Sequence, residues 1–235
     1  MVQFLDRFLY PNFKSSITAF AELVGKKTSK SSWVLDYGAG SGVLPQLNYK
    51  GKVAFIAGVD PDEIIKTNAN LDEAKIITPP TYRIPYPDNT FDFVFSHSVL
   101  EHIENPEDTF LEINRVLKPG GSFIGKTPNL WHYVPLFASL TPTSFHEYFG
   151  KKVFSREPED TYPTIYKCNT KRKVQKIASK TNFKVDCIVT WEPRPDYLRF
   201  FSLFYIIGFL YERIVNSTKY LGQFRSVLVF TLVKK

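Results

Sequence analysis

The 235-residue chain is 43% hydrophobic and 23% charged, a globular composition that excludes an intrinsically disordered protein. Its only two cysteines, Cys168 and Cys187, are isolated in sequence, so we expect neither a disulfide framework nor a cysteine metal site, and the composition favours a reducing, cytoplasmic compartment. The net charge of +7 is unevenly spread, because residues 1–150 carry −3 and residues 151–235 carry +10, which fits either an anionic partner or a solvated basic surface.

The first hundred residues alternate apolar strands with turns and helices. The N-terminal ten residues lack a signal-peptide cleavage site, and residues 12–24 have the periodicity of an amphipathic helix. Four strands follow, and the fourth is apolar throughout, as expected of a parallel strand covered on both faces. We predict these strands at 31–38, 52–60, 74–78 and 91–97.

A helix with clear boundary residues follows the fourth strand. Asn105 can cap its N-terminus, Pro106 suits its first position, and residues 118–121, Lys-Pro-Gly-Gly, are expected to end it. A fifth strand is predicted at 122–127. This alternation with short connections predicts an α/β fold with a doubly wound, mostly parallel sheet.

From residue 128 onward the alternation of strands and helices is first interrupted and then resumes. Residues 128–168 contain prolines and aromatics with little periodicity, and we interpret them as a substrate-facing cap insertion after the fifth strand. A helix, a sixth strand, an apolar helix at 197–216 and a last strand would complete seven strands in a single domain of residues 1–235. The longest uncharged run of the apolar helix is 12 residues, too short to cross a bilayer. That helix could be core, partner-facing or interfacial on a membrane.

The run Gly38-Ala39-Gly40-Ser41-Gly42 follows the first strand, at the sheet edge where open α/β sheets bind ligands. Glycines there permit a tight turn and close approach of a ligand to the backbone. Asp60 ends the second strand, and its carboxylate can accept hydrogen bonds from both hydroxyls of a ribose. The spacing is G-x-G-x-G and not G-x-G-x-x-G, and Asp36 would oppose a pyrophosphate but suit an ammonium group. The charges therefore favour S-adenosylmethionine over NAD.

Four successive segments resemble the motifs of class I S-adenosylmethionine-dependent methyltransferases: VLDYGAGSG, GVD, IPYPDNTFDFVFSHSVLEHIENP and INRVLKPGG. The resemblance covers residues 33 to about 127, and it is greatest to the methyltransferase type 11 group, which includes ubiquinone and menaquinone enzymes. It implies a Rossmann-like fold, S-adenosylmethionine as cofactor and S-adenosylhomocysteine as product. The segment from residue 128 onward also resembles a subset associated with bacterial polysaccharide and glycan loci.

The resemblance also implies roles for individual residues. The glycine run would wrap the methionine part of the cofactor, Asp36 would assist its amino group, and Asp60 would hold its ribose. Thr81 would lie by the adenine, since this chain has no acid near Pro80 where many relatives do, and Ser96 would lie near the sulfonium. The full set of expected cofactor-binding residues is Asp36, Gly38, Ala39, Gly40, Gly42, Asp60, Pro61, Thr81 and Ser96.

Methyl transfer to a hydroxyl profits from a general base, and a histidine suits that task. The candidate bases are His97, His132 and His146, each of which could instead be a packing residue; we expect His102, beside Glu101, to be structural. The histidines lack the spacing of metal ligands, so no metal is expected.

Two acceptor classes remain open. The leading hypothesis is O-methylation of a saccharide or glycan precursor in polysaccharide biosynthesis, because the cap combines histidines, aromatics and basic residues. The alternative is an apolar, membrane-borne acceptor such as a quinone or lipid precursor, with residues 197–216 touching the inner membrane face. Nucleic acid is disfavoured, because no Asn/Asp-Pro-Pro-Tyr/Phe motif ends the fourth strand. A module that only binds the cofactor is a further alternative, and the sequence does not predict the oligomeric state.

Overall fold

The computed structural model describes residues 2–79, 81–140 and 162–235, and of residues 137–140 only the backbone. Its centre is a seven-stranded sheet in the order β3-β2-β1-β4-β5-β7-β6. The strands are β1 Trp33–Tyr37, β2 Phe55–Asp60, β3 Glu73–Ile76, β4 Phe91–His97, β5 Leu117–Pro128, β6 Phe183–Trp191 and β7 Val227–Lys234. The helices are α1 Val2–Leu9, α2 Ser16–Lys27, α3 Pro106–Val116, α4 Tyr133–Leu140, α5 Lys171–Lys180 and α6 Ser202–Ser217.

The register of the sheet brings together, at one edge, the strand ends where the sequence predicts the site residues. β1 pairs in parallel with β2 and β4, β2 with β3, and β4 with β5. Asp36 lies opposite both Gly58 and Phe95, and His97 lies opposite Lys126. The predicted seven-stranded, mostly parallel, Rossmann-like sheet is therefore confirmed. The cap insertion at 128–168 stays a prediction, since residues 141–161 lie outside the described ranges.

The core lies where β4 and β5 pack against α3 and β7. Phe110 and Phe123 meet edge to face at 5.3 Å between ring centroids, and Phe230 lies within 6 Å of both rings. All three side chains are buried. Burying a side chain of this size contributes about 1.5–3 kcal/mol, so this cluster is a main source of the sheet's stability.

Several boundaries differ from the sequence prediction for identifiable reasons. α2 begins at Ser16 and not at residue 12, because Pro11 and Asn12 form a turn after α1, a helix that the sequence did not predict. Asn105 precedes α3 but makes no capping hydrogen bond with its side chain. The Lys-Pro-Gly-Gly run is part of the sheet, because β5 already begins at Leu117. The run causes a shift in the β4–β5 register, which falls between Phe91 and Phe93 of β4.

The connections after β1 and β2 contain no α-helix. Each holds a short 3-10 turn, Pro45–Leu47 and Glu63–Thr67, so the predicted alternation of strands and helices is incomplete here. Tyr49 occupies the first connection, packs on Phe95 and donates its hydroxyl to the carbonyl of Ala21 at 2.6 Å. The glycine run is therefore not followed by the helix N-terminus that would favour a pyrophosphate.

The chain divides into two compact units. One comprises residues 1–16, 128–164 and 190–228, and the other comprises residues 17–127, 165–189 and 229–235. We call them the helical unit and the sheet unit. The expectation of a single domain over residues 1–235 stays a prediction. The apolar helix expected at 197–216 begins later, at Ser202, after a 3-10 turn at Asp196–Leu198. No helix in the described ranges is long and apolar enough to span a bilayer.

Candidate functional site

The glycine run has the backbone that only glycine adopts without strain. Gly38, Gly40 and Gly42 have φ values of +81°, +48° and +75°. A Cβ on Gly38 would lie 2.2 Å from Val99, and a Cβ on Gly42 would lie 2.2 Å from Asn68. A Cβ on Gly40 would meet nothing within 4 Å. Gly40 therefore faces open space, where a ligand can approach the bare backbone.

Two asparagines hold this loop, and the sequence analysis missed both. The Asn68 side-chain amide donates to the carbonyls of Ala39 and Gly40, each at 3.1 Å. The Asn70 side-chain amide donates to the carbonyl of Gly42 at 2.8 Å. The only signal in the sequence is the Asn-Ala-Asn triplet, which does not reveal its partners.

Asp60 is fixed by the same loop. Its carboxylate accepts the backbone N–H of Gly40 and that of Asp62, both at 2.9 Å. Each carboxylate oxygen has two lone pairs, so Asp60 can accept further hydrogen bonds from a ligand's hydroxyl groups. The neighbouring Pro61 is exposed, and so is Thr81, in the loop after β3. Pro80 lies outside the described ranges.

Asp36, in β1, carries the strongest electrostatic signal at this edge. Burial first, and then the charge of Asp60, raise the pKa of its carboxyl group to about 8. None of the described residues forms an ion pair with it. A desolvated carboxyl group without a cation is costly to ionise, so Asp36, although partly exposed, would favour a ligand that brings a positive charge.

Ser96 lies at the end of β4. Its side chain is fully buried, and its Oγ has no hydrogen-bond partner among the described residues. Buried polar atoms almost always have a partner, so this hydroxyl is a candidate contact for a ligand or a water molecule. The open backbone at Gly40, the carboxyl group of Asp36 without a cation and the Ser96 hydroxyl without a described partner together fit a cationic ligand that carries no phosphate.

Comparison with known proteins agrees with this geometry. Residues 35–125 match the family model described as "Methyltransferase domain". This matched segment contains the glycine run, Asp36, Asp60 and Ser96, so the part of the chain that carries the site is similar to a methyltransferase domain. S-adenosylmethionine, the cofactor that these similarities support, carries the ammonium group and the ribose that the site would take. The type 11 branch with quinone enzymes and the glycan-associated subset remain predictions.

Individual relatives match only part of this chain. An uncharacterised methyltransferase of Schizosaccharomyces pombe is 33% identical over 122 residues, which are 45% of this chain and 43% of that protein. A sterol 24-C-methyltransferase of Gibberella zeae is 33% identical over 98 residues, 38% of this chain and 26% of that protein. The chain thus spans less than half the length of the curated relatives it matches.

A solved structure shows that the fold alone does not define the reaction. The [4+2]-cyclase SpnF superposes with a TM-score of 0.54 at 15% identity, over 92% of this chain and 80% of the cyclase. It shares the fold of this chain, although it is described as a cyclase. The chemistry of this protein must therefore be argued from its own residues.

His97, at the end of β4, is bound to a lysine. Its Nε2 lies 3.0 Å from Nζ of Lys126 on β5, so a protonated lysine donates and the imidazole accepts. Burial, and next the charge of Lys126, lower the pKa of His97 to about 3. Burial lowers the pKa of Lys126 to about 8. Lys126 was not predicted as a site residue, because its proximity to His97 depends on the β4–β5 register.

Glu101 anchors the segment that follows β4. It is buried, its carboxylate accepts the hydroxyl of Thr127 at 2.9 Å, and that hydroxyl accepts the Asn169 amide at 2.6 Å. Burial raises the pKa of Glu101. The carbonyl of Glu101 also accepts the backbone N–H of Ile165 at 2.7 Å. Glu101 therefore ties residues 165–169 to the carboxyl end of the sheet.

His132 belongs to the helical unit. Its side chain is 1% exposed, its Nε2 has no hydrogen-bond partner among the residues that the structure describes, and a carboxylate oxygen of Glu192 lies 3.7 Å away. Burial lowers the pKa of His132 to about 4 and raises that of Glu192 to about 7. The imidazole packs against Tyr133 and Tyr211. His146, the third candidate base, lies outside the described residues.

Proposed function

We propose that this protein transfers the methyl group of S-adenosylmethionine to a small-molecule acceptor. The observation that carries the proposal is the uncompensated Asp36 carboxyl group beside a glycine loop whose Gly40 faces open space. The bound cofactor would supply a methyl carbon activated by a sulfonium. The protein would contribute mainly by alignment, which can be worth about 7–11 kcal/mol.

The chain's own residues divide this task. Asp36 would hold the ammonium group, and Asp60 would accept ribose hydroxyls while keeping the Gly40 N–H in place. Asn68 and Asn70 would fix the loop that forms the floor of the site. Ser96 would offer its hydroxyl near the reacting end. These roles extend the expectations from the sequence and stay proposals.

The acceptor hypothesis of a saccharide or glycan hydroxyl needs a general base. His97 accepts from Lys126 and has a pKa of about 3, and His132 has a pKa of about 4, whereas an effective base titrates near the working pH. In the described structure neither histidine is suited to that role. The saccharide hypothesis therefore depends on His146 or on a base of another type.

A second candidate is an apolar, membrane-borne acceptor such as a quinone or lipid precursor. The observation that favours it is the row of large apolar side chains on the outside of α6. The similarity to a sterol methyltransferase points in the same direction.

The test is a methyl-transfer assay and not a binding assay, because a cyclase shares this fold. The protein is incubated with methyl-labelled cofactor and with sugar nucleotides, polysaccharide precursors, quinone precursors and isoprenoid lipids. We expect label in one acceptor class, and its loss in Asp36→Asn but not in Asp108→Asn, an exposed acid on α3. Cofactor binding without transfer to any class would refute the proposed function.

A further inference from the structure

Helix α6 has its polar and apolar faces reversed with respect to the usual arrangement. Its buried positions are Tyr205, Gly208, Glu212 and Val215. Its exposed positions carry large apolar side chains that are 40–59% exposed, namely Leu203, Phe204, Ile206, Ile207, Leu210 and Ile214. A helix on a protein surface normally buries its apolar stripe and exposes its polar one. Among the residues that the structure describes, none covers the outward face of α6, although its composition is that of a face with a partner.

Helix α1, in the same helical unit, repeats this pattern. Phe4 and Phe8 are 70% and 73% exposed, and their rings stack at 6.4 Å between centroids. Asp6 faces inward, where it accepts from the Tyr205 hydroxyl and pairs with Arg199. Polar contacts thus hold α1 to α6, while apolar rings point outward. We call Phe4, Phe8 and the six exposed side chains of α6 the outer apolar face.

On α1 and α6 the acidic side chains are buried and the basic side chains are exposed. Glu212 is buried, where it accepts from the Tyr10 hydroxyl at 3.2 Å and from the Asn216 amide at 2.6 Å. Asp6 is largely buried among its partners. The exposed charges on α1 and α6 are Arg7 and Arg213, and Lys219, which follows α6, is also exposed. Arg213 forms an ion pair with Glu212 at 3.3 Å, so Arg7 and Lys219 carry most of the charge argument.

We propose that the outer apolar face docks on an anionic lipid bilayer, with α1 and α6 lying in the plane of the interface. Exposed large apolar side chains with arginine and lysine are the composition of interfacial helices. The 16 residues of α6 span about 24 Å, less than the bilayer core, so the helix lies on the membrane and does not cross it. A symmetric contact with a second copy would bring like charges together, whereas anionic headgroups neutralise them.

This proposal deepens the second candidate function, because a membrane-borne acceptor would be presented to an enzyme already on the bilayer. The docking proposal depends on the second candidate function only for the identity of the acceptor. Membrane binding is measured without catalysis, so the failure of the docking proposal and the failure of methyl transfer can be told apart.

The test is flotation of the whole protein with vesicles of phosphatidylcholine alone or of equimolar phosphatidylcholine and phosphatidylglycerol. We expect flotation with the mixed vesicles, weaker binding to the neutral ones and loss of the difference at high salt. Ile207→Asn/Leu210→Asn should lower the partition coefficient at least about tenfold, since both side chains would be buried in the interface. Arg7→Gln/Lys219→Gln should lower it about fivefold per charge, only on anionic vesicles.

The matched control is Leu111→Asn on α3, since Leu111 is 49% exposed and Leu210 is 54% exposed. Leu210→Asn should weaken flotation and Leu111→Asn should not. Far-ultraviolet circular dichroism melting checks that each variant is folded. Wild-type protein that does not float, or Ile207→Asn/Leu210→Asn protein that floats as wild type does, would overturn the proposal. A lipid-free dimer that the same double substitution makes monomeric would also overturn it, in favour of a second copy.

Discussion

Gly38 and Gly40 are two residues apart in one loop, yet substitution should affect them differently. In Gly38→Ala the new Cβ would lie 2.2 Å from Val99 at a positive φ, so we expect a loss of about 2–4 kcal/mol in the free energy of unfolding. In Gly40→Ala only the backbone cost of about 1 kcal/mol applies, because the Cβ meets open space. Denaturant unfolding and cofactor titration measure the two effects.

We expect Gly40→Ala to fold and to bind S-adenosylhomocysteine at least about tenfold more weakly, because the methyl group enters the proposed ligand space. Gly38→Ala serves as the comparison for general damage to the loop. Unchanged affinity in Gly40→Ala would show that the ligand does not approach this part of the backbone.

Asp36 gives a prediction about pH. Its folded pKa of about 8 lies above the ordinary value of 3.8, so the folded protein retains a proton that the unfolded chain releases. The stabilisation from this group is complete below about pH 4 and is lost as pH rises toward 8. Asp36→Asn should therefore be more stable than wild type at pH 8, by at least about 1.4 kcal/mol, the equivalent of one pKa unit.

The measurement is urea unfolding without cofactor at pH 5 and pH 8, with Asp108→Asn as the exposed control. The difference between Asp36→Asn and wild type should shrink at pH 5, while Asp108→Asn shows no such dependence. The same substitution should weaken cofactor binding, so stability and function would change in opposite directions. Equal stability of Asp36→Asn and wild type at pH 8 would contradict the raised pKa.

Some of these residues could be located from the sequence and some could not. Asp36, the glycines and Asp60 each end or follow an apolar strand, and parallel strands bring such ends to one edge, so a local pattern was sufficient. Asn68 and Lys126 act through partners on other segments. Their contacts depend on how the β2–β3 connection folds back and on the β4–β5 register, which no local pattern encodes.

At the scale of elements, Arg115 of α3 fastens the β3–β4 connection to the helix. Its guanidinium donates to the carbonyls of Ile84 and Tyr86 and to the carboxylates of Asp88 and Glu112, at 2.8–2.9 Å. This explains physically why an arginine stands in the segment INRVLKPGG. The planar guanidinium of arginine has five N–H donors and can satisfy all of these acceptors, whereas the ammonium group of a lysine has only three donors.

Arg115→Lys should therefore cost about 2 kcal/mol in the free energy of unfolding and loosen residues 84–90. Hydrogen exchange should show the change in the amides of that connection. Arg172→Lys, at an exposed position of α5, is the matched control and should be neutral. Retained protection of residues 84–90 in Arg115→Lys would show that the connection is held by other contacts.

The elements themselves were predictable where periodicity was strong. All seven strands were found from apolar runs, but their ends shifted where tertiary contacts decide the boundary. The Lys-Pro-Gly-Gly run signals a turn locally, yet pairing with β4 draws it into β5 as an irregularity. α1 was missed because it buries no residue completely and exposes Phe4 and Phe8, so its pattern is not that of a core helix.

At the scale of the whole molecule, the family model covers residues 35–125, but the sheet is completed by strands from the end of the chain. β7 lies between β5 and β6, and Phe230 packs directly on Gly125, where a Cβ would lie 2.3 Å from its ring. The segment that matches the methyltransferase model therefore does not by itself form a closed core. Its strands depend on a segment more than a hundred residues later.

Phe230→Ala tests this dependence. The ring is 1% exposed and contacts Phe110 and Phe123, so its removal should leave a cavity and cost about 3–5 kcal/mol. Phe224→Ala, at a partly exposed phenylalanine in the turn before β7, should cost less than about 1 kcal/mol. Because Phe230 packs against β5, the loss should extend to the cofactor edge, seen as faster hydrogen exchange at Gly125 and Lys126. Equal stability of Phe230→Ala and Phe224→Ala would mean that the motif-bearing strands form their core without β7.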